Sequence, residues 1–309
     1  MNRRAFLANS AVAIAGLSVA AQPAVADTRK LKAQLDAIAA PFKGTLGYSV
    51  HHIKNRESID LRGDERFPTA STIKLAIMCT AFEKQQKGEI GYFDTRSITD
   101  ADKRTGAGFI QHYRPDTKIE LKELLHLMIT ISDNMATAML IRWLTAMEIN
   151  HWLERQGFKV TRLLSQLPEN ETGLIALYKE WGLGVTTPNE MRDLMERIAT
   201  GKAGTPAATD EMQRLLSHQY FTMGIGSQVP PFVGIGSKSG AVDASRSDVA
   251  IVHAPTGDYS LSIYTKEAKD QSWEWGNEGE NAIRAISRAV FTHYNPKVDW
   301  APKPGYDKF

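Results

Sequence analysis

Four short stretches of this 309-residue sequence carry side chains suited to attacking and holding a carbonyl compound. In Ser71-Thr72-Ile73-Lys74 the lysine follows the serine by one helical turn, on the same face, so its amine can reach the hydroxyl. A serine hydroxyl is a weak nucleophile near neutrality and needs such a neighbouring base. Ser132-Asp133-Asn134 lies between two apolar helical runs. There Ser132 can relay a proton to a leaving nitrogen, and Asn134 can hold a substrate amide. In Lys238-Ser239-Gly240-Ala241, expected on a strand edge, Lys238 supplies positive potential for a carboxylate, and Gly240 lets a substrate come close. Arg246, with Asp248 on or beside the next strand, is suited to a bidentate carboxylate clamp. Each stretch alone has a plainer reading. Ser71 can be a helix cap, Ser132 to Asn134 a polar turn, Lys238 to Ala241 a bulged surface strand, and Arg246 a surface charge.

The order and the company of these stretches argue for chemistry. Ser-x-x-Lys, Ser-Asp-Asn and Lys-Thr-Gly, in that order, are the signature of the class A β-lactamases and the penicillin-binding proteins; here Ser239 replaces the threonine. The sequence resembles that superfamily from about residue 30 to 295. The flanks agree: Phe67-Pro68-Thr69-Ala70 before the nucleophile, Thr186-Thr187-Pro188 further on, and Ser245-Arg246 after the Lys-Ser-Gly stretch. The resemblance implies that Ser71 is acylated and that Lys74 and Ser132 move its proton. Backbone N–H groups of Ser71 and Ala241 would form the oxyanion hole. Asn134, Lys238, Ser239, Gly240, Ala241 and Arg246 would bind substrate.

The same resemblance looks for a water-activating glutamate in a Glu-x-x-Leu-Asn segment about seventeen residues before the Thr-Thr-Pro proline. Counting back from Pro188 reaches Glu171, in Glu171-Thr172-Gly173-Leu174-Ile175. Ile175 stands where the asparagine belongs and cannot hold a water. Glu169 is a rival. Glu169 and Gly184 stand near the positions of the loop's usual Arg–Asp ion pair, which is missing. Arg104 to Pro115, with Gly106-Ala107-Gly108 and Tyr113, also departs from the short aromatic-tipped loop of resistance enzymes. Acylation is thus better supported than fast release of the acyl group.

The elements that must position these residues follow from periodicity. A helix is expected over Thr28–Ala40 and strands over Thr45–Ile53 and Ser58–Arg62. Helices are expected over Lys74–Lys87, around Leu121, Leu124, Leu125 and Met128, and over Met135–Ala146. Thr187-Pro188-Asn189-Glu190 reads as a capped helix start with a capping box, followed by an apolar face of Met191, Leu194, Met195 and Ile198 and a stop at Gly201. Strands are expected over Phe232–Ser237, Asp248–His253 and Tyr259–Thr265, the last two joined by a turn at Pro255-Thr256-Gly257-Asp258, and a final helix over Gly279–Tyr294. The fold expected is α/β: an antiparallel sheet built from both chain ends, flanked by helices, with an all-helical lobe inserted at about residues 68–220. The cleft between lobes is the expected site.

Residues 1–26 read as a twin-arginine signal peptide: Arg3-Arg4, an apolar run from Ala11 to Ala21, and Ala24-Val25-Ala26 before the cut. That leaves residues 27–309 as one catalytic domain, periplasmic or secreted, with no membrane association after cleavage. Arg3 and Arg4 are the only charges removed, so 37 Lys+Arg become 35, equal to the 35 Asp+Glu. No basic run remains for nucleic acid. Cys79, the single cysteine, falls in an apolar helix and reads as buried filling. The eight histidines lack ligand spacing, so no metal or cofactor is expected, and His126 between two leucines reads as structural. The expected partner is a β-lactam or a peptidoglycan-like acyl compound, met by a monomer. Three readings stay open: a β-lactam hydrolase, a carboxypeptidase-like or esterase-like relative, and a binder that stays acylated.

Overall fold

The structure, a computed structural model, describes residues 28–303. The proposed signal peptide lies outside them. The chain opens with helix α1 (Thr28–Ala39), whose Leu31, Leu35 and Ala39 are buried at i, i+4 spacing. Strands β1 (Thr45–His52), β2 (Glu57–Leu61) and β3 (Phe67–Pro68) follow. Next come α2 (Lys74–Gln86), β4 (Thr95–Ser97), β5 (Lys118–Glu120), α3 (Leu121–Thr130), α4 (Asn134–Leu144) and α5 (Ala146–Arg155). Strand β6 (Arg162–Leu163), α6 (Thr172–Trp181), β7 (Gly184–Thr186), α7 (Pro188–Ala199) and α8 (Pro206–Ser217) complete the middle. Strands β8 (Gly234–Val242), β9 (Ser245–His253) and β10 (Tyr259–Lys266) lead to α9 (Glu278–Tyr294).

Both chain ends build the main sheet, in the order β2-β1-β10-β9-β8. All its pairs are antiparallel, so side chains alternate between two faces. One face, with Val50, Ala250, Val252, Leu261 and Ile263, packs under α1 and α9. The other gives Val249, Ile251 and Tyr264 to a core filled by α2, α3, α4, α5, α7 and α8. The fold class is therefore the one expected. No helix among the described residues is long and apolar enough to cross a membrane.

Local departures have local causes. The run Met135–Ala146 is broken at Thr145, whose φ of 70° ends α4 and whose hydroxyl caps α5 by accepting the Glu148 N–H at 3.3 Å. The Lys-Ser-Gly strand runs from Gly234 to Val242, later than the expected Phe232–Ser237, and leaves Phe232 70% exposed. Thr187 caps α7 as expected, accepting from Glu190 N at 3.1 Å. The reciprocal half of the capping box is not made. The Glu190 carboxylate instead takes the N–H groups of Lys159 (2.7 Å), Val160 (3.1 Å) and Thr161 (2.6 Å). Cys79 is fully buried, 3.8 Å from the Met212 sulfur, and burial pushes its thiol up, as for an inert filler. His126 is partly buried, and burial lowers its imidazole.

Candidate active site

Ser71 sits in a tight helical turn, Ala70–Ile73, that leads directly into α2. Ala70 before it holds a φ of 43°, a left-handed conformation costly for a residue with a Cβ. The turn is pinned on three sides. Thr69 N–H donates to Gly184 O at 2.8 Å, and Phe67 and Pro68 pair with Thr186 and Val185 of β7. The Tyr264 hydroxyl reaches Thr72 Oγ1 at 2.8 Å from the main sheet. On the third side lies β8. A Cβ at Gly240 would stand 2.8 Å from Thr69 O, 2.9 Å from Ser71 N and 2.7 Å from Ser247 Oγ. Only glycine lets the strand come so close.

Lys74, fully buried, begins α2. Its Nζ donates to Ser132 O (2.7 Å), Ser132 Oγ (2.9 Å) and Asn134 Oδ1 (3.2 Å). Lys238, also fully buried, donates from β8 to Ser132 Oγ at 3.1 Å and to Ser239 O at 2.9 Å. Two lysine amines thus meet on one serine hydroxyl. Burial, then the charge of Lys238, drives Lys74 well below the usual lysine range, against Asp133. Burial likewise lowers Lys238 to about 7, against the opposing charge of Asp248. A neutral amine beside a serine hydroxyl can take a proton; a charged one can attract a carboxylate.

Ser132 is held with a φ of 58° by its neighbours. Asp133 caps α4, its Oδ1 accepting from Ala136 N at 2.9 Å, while Oδ2 takes Phe109 N (2.7 Å) and Ile110 N (3.0 Å). Asn134 donates from Nδ2 to Thr105 O at 2.9 Å, and its own N–H goes to Ala107 O at 2.9 Å. The 104–111 loop, unusual in sequence, is therefore fastened to the Ser-Asp-Asn turn.

Lys74, Ser132, Asn134 and Lys238 come together through hydrogen bonds, Gly240 packs against the Ser71 backbone, and Ser239 and Ala241 lie on the same strand. Arg246 does not present a free clamp. It pairs with Ala241 across the β8–β9 hairpin and is only 3% exposed. Its guanidinium donates to Ser245 O (3.0 Å) and to the carbonyls of Val242 and Ser272, lies 3.7 Å from Glu280, and stacks 4.5 Å from the Trp273 ring. Those carbonyls take Nη1 and Nη2 of the fork that was expected to hold a carboxylate, while the buried Nε has no hydrogen-bond partner among the described residues.

Glu171 is not joined to the cluster either. It stands at the N-terminus of α6 without a capping bond, and its carboxylate makes no hydrogen bond among the described residues. No residue of α6 is buried, Ile175 included. The residue reaching over α4 is Gln166, which the sequence reading passed over. Its φ is 55°, and its Nε2 donates to Ala138 O at 3.1 Å, one turn after Asn134. Leu167 beside it packs on the helical core. The neck of this loop has no Arg–Asp pair. It is closed by Asn150, which donates to Leu163 O at 2.9 Å and accepts from Leu163 N at 2.8 Å.

Comparison with known proteins agrees with this geometry. The model of the β-lactamase enzyme family matches residues 30–294. This chain belongs to that family. It is 25% identical over 262 residues to β-lactamase CARB-4 of Pseudomonas aeruginosa, covering 84% of this chain and 88% of the relative. The crystal structure of a β-lactamase from Sphaerobacter thermophilus superposes with a TM-score of 0.75 at 26% identity, covering 87% of this chain and 98% of that one. A mutant of PBP-A, solved as its acyl-enzyme with penicillin G, gives 0.77 at 24% identity, covering 87% and 97%. The chain is a serine hydrolase of the β-lactamase type.

Proposed function

We propose that this protein is an exported enzyme that opens the β-lactam amide of penicillin-like compounds through acylation of Ser71. The observation that carries the reading is the pair of buried lysines on Ser132 Oγ, at 2.9 and 3.1 Å. Lys74, as the neutral amine, takes the Ser71 proton while Ser71 Oγ bonds to the carbonyl carbon. The oxyanion is met by the N–H groups of Ser71 and Ala241. The carbon–nitrogen bond then breaks, and the nitrogen receives the Ser132 hydroxyl proton, which Lys74 replaces. Lys238 and Ser239 attract the substrate carboxylate, and Asn134 holds its side-chain amide.

Release of the acyl group is the slow step in this reading. Water needs a base, and the carboxylate nearest the cluster, Asp133, is spent on three backbone N–H groups. A long-lived acyl-enzyme is accordingly the second reading. Mass spectrometry of the mature protein with penicillin G, followed over time, tests both. An adduct on the Ser71 peptide that decays slowly is expected, and Ser71→Ala gives none. An adduct that persists in Ser71→Ala overturns the mechanism. Export is tested by amino-terminal sequencing, expected to begin at Asp27, and by Arg3→Lys with Arg4→Lys, expected to block twin-arginine passage.

A further inference from the structure

Ser71 is presented by a turn that does not keep its shape unaided. Ala70 holds a φ of 43°, a left-handed conformation that persists only where the surroundings over-determine it. Relaxation at Ala70 would re-aim Ser71, whose N–H and side chain follow directly in the chain.

Thr72 closes the turn across the strained residue. Its N–H donates to Thr69 O at 3.0 Å, and its hydroxyl donates to the same oxygen at 2.8 Å. Tyr264, on β10, places its phenolic oxygen 2.8 Å from Thr72 Oγ1. A hydroxyl has one proton, and that of Thr72 is given to Thr69 O. The Tyr264 hydroxyl is therefore the donor, and the chain runs one way, from Tyr264 through Thr72 to the Thr69 carbonyl. In such a chain each bond polarises and strengthens the next. All three residues are fully buried. The Tyr264 ring belongs to the helical core and lies 6.1 Å from that of Phe67, so the core, not the turn, sets where its hydroxyl stands.

The chain ends beside the nucleophile. Thr69 O is the atom against which Gly240 packs: a Cβ there would stand 2.8 Å from it and 2.9 Å from Ser71 N. The oxygen that Thr72 holds thus lies between the strained turn and β8.

We propose that Tyr264 is a positioning residue for acylation. Acting through Thr72, its hydroxyl holds Ala70 in the left-handed conformation and so aims the Ser71 Oγ and N–H at the carbonyl under attack. This rests on the acylation reading above and adds to it a residue of the central sheet.

The test uses the mature protein, Tyr264→Phe, Thr72→Val, Thr72→Ser and the double variant Tyr264→Phe with Thr72→Val. Acylation by penicillin G is followed by stopped flow at a temperature where circular dichroism shows each variant folded. A partly folded variant gives a smaller acylated fraction at the parent's rate, whereas a mis-aimed nucleophile gives the full fraction at a lower rate. Tyr264→Phe is expected to acylate fully but about tenfold more slowly at saturating penicillin, the scale of one lost hydrogen bond. The half-saturating concentration is expected to stay, because Lys238, Ser239 and Asn134 keep their places. Thr72→Val is expected to be slowed likewise, and Thr72→Ser, which keeps the hydroxyl, to match the parent. The double variant is expected to be no slower than the slower single one, as for two links of one chain. The parent's rate in Tyr264→Phe, a loss confined to the acylated fraction or to half-saturation, or losses that multiply in the double variant overturn the proposal. Hydrogen exchange at the Thr72 amide needs no substrate and separates the two readings. It is expected to quicken in Tyr264→Phe as the turn loosens. If penicillin acylates no protein but this exchange quickens, the acylation reading fails and the hydroxyl chain stands. If the exchange is unchanged, the hydroxyl chain does not hold the turn and the proposal fails.

Discussion

At the scale of single residues, the site is a problem of placing two amines in a dry space. Lys74 and Lys238 are each fully buried and share Ser132 Oγ. Neither desolvation nor mutual repulsion allows both to stay charged as in water. The folded Lys238 loses its proton at about 7, whereas an unfolded lysine keeps it to its ordinary value. Between those two points the unfolded chain holds the extra proton, so this group's contribution to stability rises with pH there and is smallest below about 7. Acylation runs the other way on Lys238. Its cation attracts the substrate carboxylate, so kcat/KM is expected to fall as pH rises through about 7. Asp248, 2% exposed, supports that cation from the neighbouring strand. Asp248→Asn is expected to move the falling limb to lower pH in a pH–rate profile of acylation, and a limb that stays in place removes Asp248 from the account. Ser132→Ala leaves the backbone conformation no more strained than before, since both side chains carry a Cβ. It does remove the oxygen that two buried amines share, so stability is expected to fall by about 1–3 kcal/mol, while acylation falls by about 10²–10⁴-fold, the usual worth of a proton relay. A stopped-flow penicillin assay reads that directly.

Secondary-structure elements decide what was legible in the sequence. Motif order and helical spacing identified the Ser71 turn, the Ser-Asp-Asn corner and α7, because each depends on residues close in sequence. The signal at Thr187-Pro188 recurs at Thr205-Pro206, where Thr205 caps α8 and Ala208, Met212, Leu215 and Leu216 are buried, so α8 was readable though unread. The use of Glu190 and of the Arg246 Nη2 group was not readable, since Lys159 and Ser272 lie 31 and 26 residues away on segments whose approach no local pattern encodes. Arg246 ties the β8–β9 hairpin to the segment before α9. Arg246→Met is thus expected to cost about 1–3 kcal/mol in urea unfolding, for lost bonds to buried carbonyls, with little change in KM for penicillin. A large rise in KM at unchanged stability would restore the clamp. Gly240 makes the opposite case, a residue whose value is its missing side chain. Gly240→Ala puts a methyl against two backbone atoms under 3.0 Å away. Overpacking of this kind costs about 1–3 kcal/mol. The strand must shift from Ser71, so acylation should fall further than stability alone would suggest. Paired urea melts and acylation rates check this.

On the scale of the molecule, the sheet is held between two apolar cores, and the catalytic cluster sits where the helical core meets β8. The segment from Ser165 to Gly182 reaches the helical core through Leu167, and through Gln166 bonded to Ala138 O. It is fixed at its neck by Asn150 and by the β6–β7 pair, and α6 within it buries nothing. Acylation draws on residues packed into the rigid body. Release would have to draw on this segment, whose Gln166 is bonded to Ala138 O on α4. An amide cannot take a proton from water near neutrality, and Glu171 makes no contact that would bring it in. General-base assistance is worth about 10²–10⁴-fold, so its absence should be plain in the kinetics. Single-turnover measurements on the parent, Glu171→Ala and Ile175→Asn carry the argument. All three are expected to acylate alike and to release at the same slow rate within about twofold, because neither position touches Ser71, Ser132 or Asn134; a base's removal would instead cost at least about 10²-fold. If Glu171→Ala traps an adduct that the parent sheds, the segment must close over the site during turnover, and Glu171 is the base. If Ile175→Asn speeds release, the water is held from α6 after all. Equal slow release in the three proteins leaves an enzyme whose fold is built to form the acyl bond and has no carboxylate in place to break it.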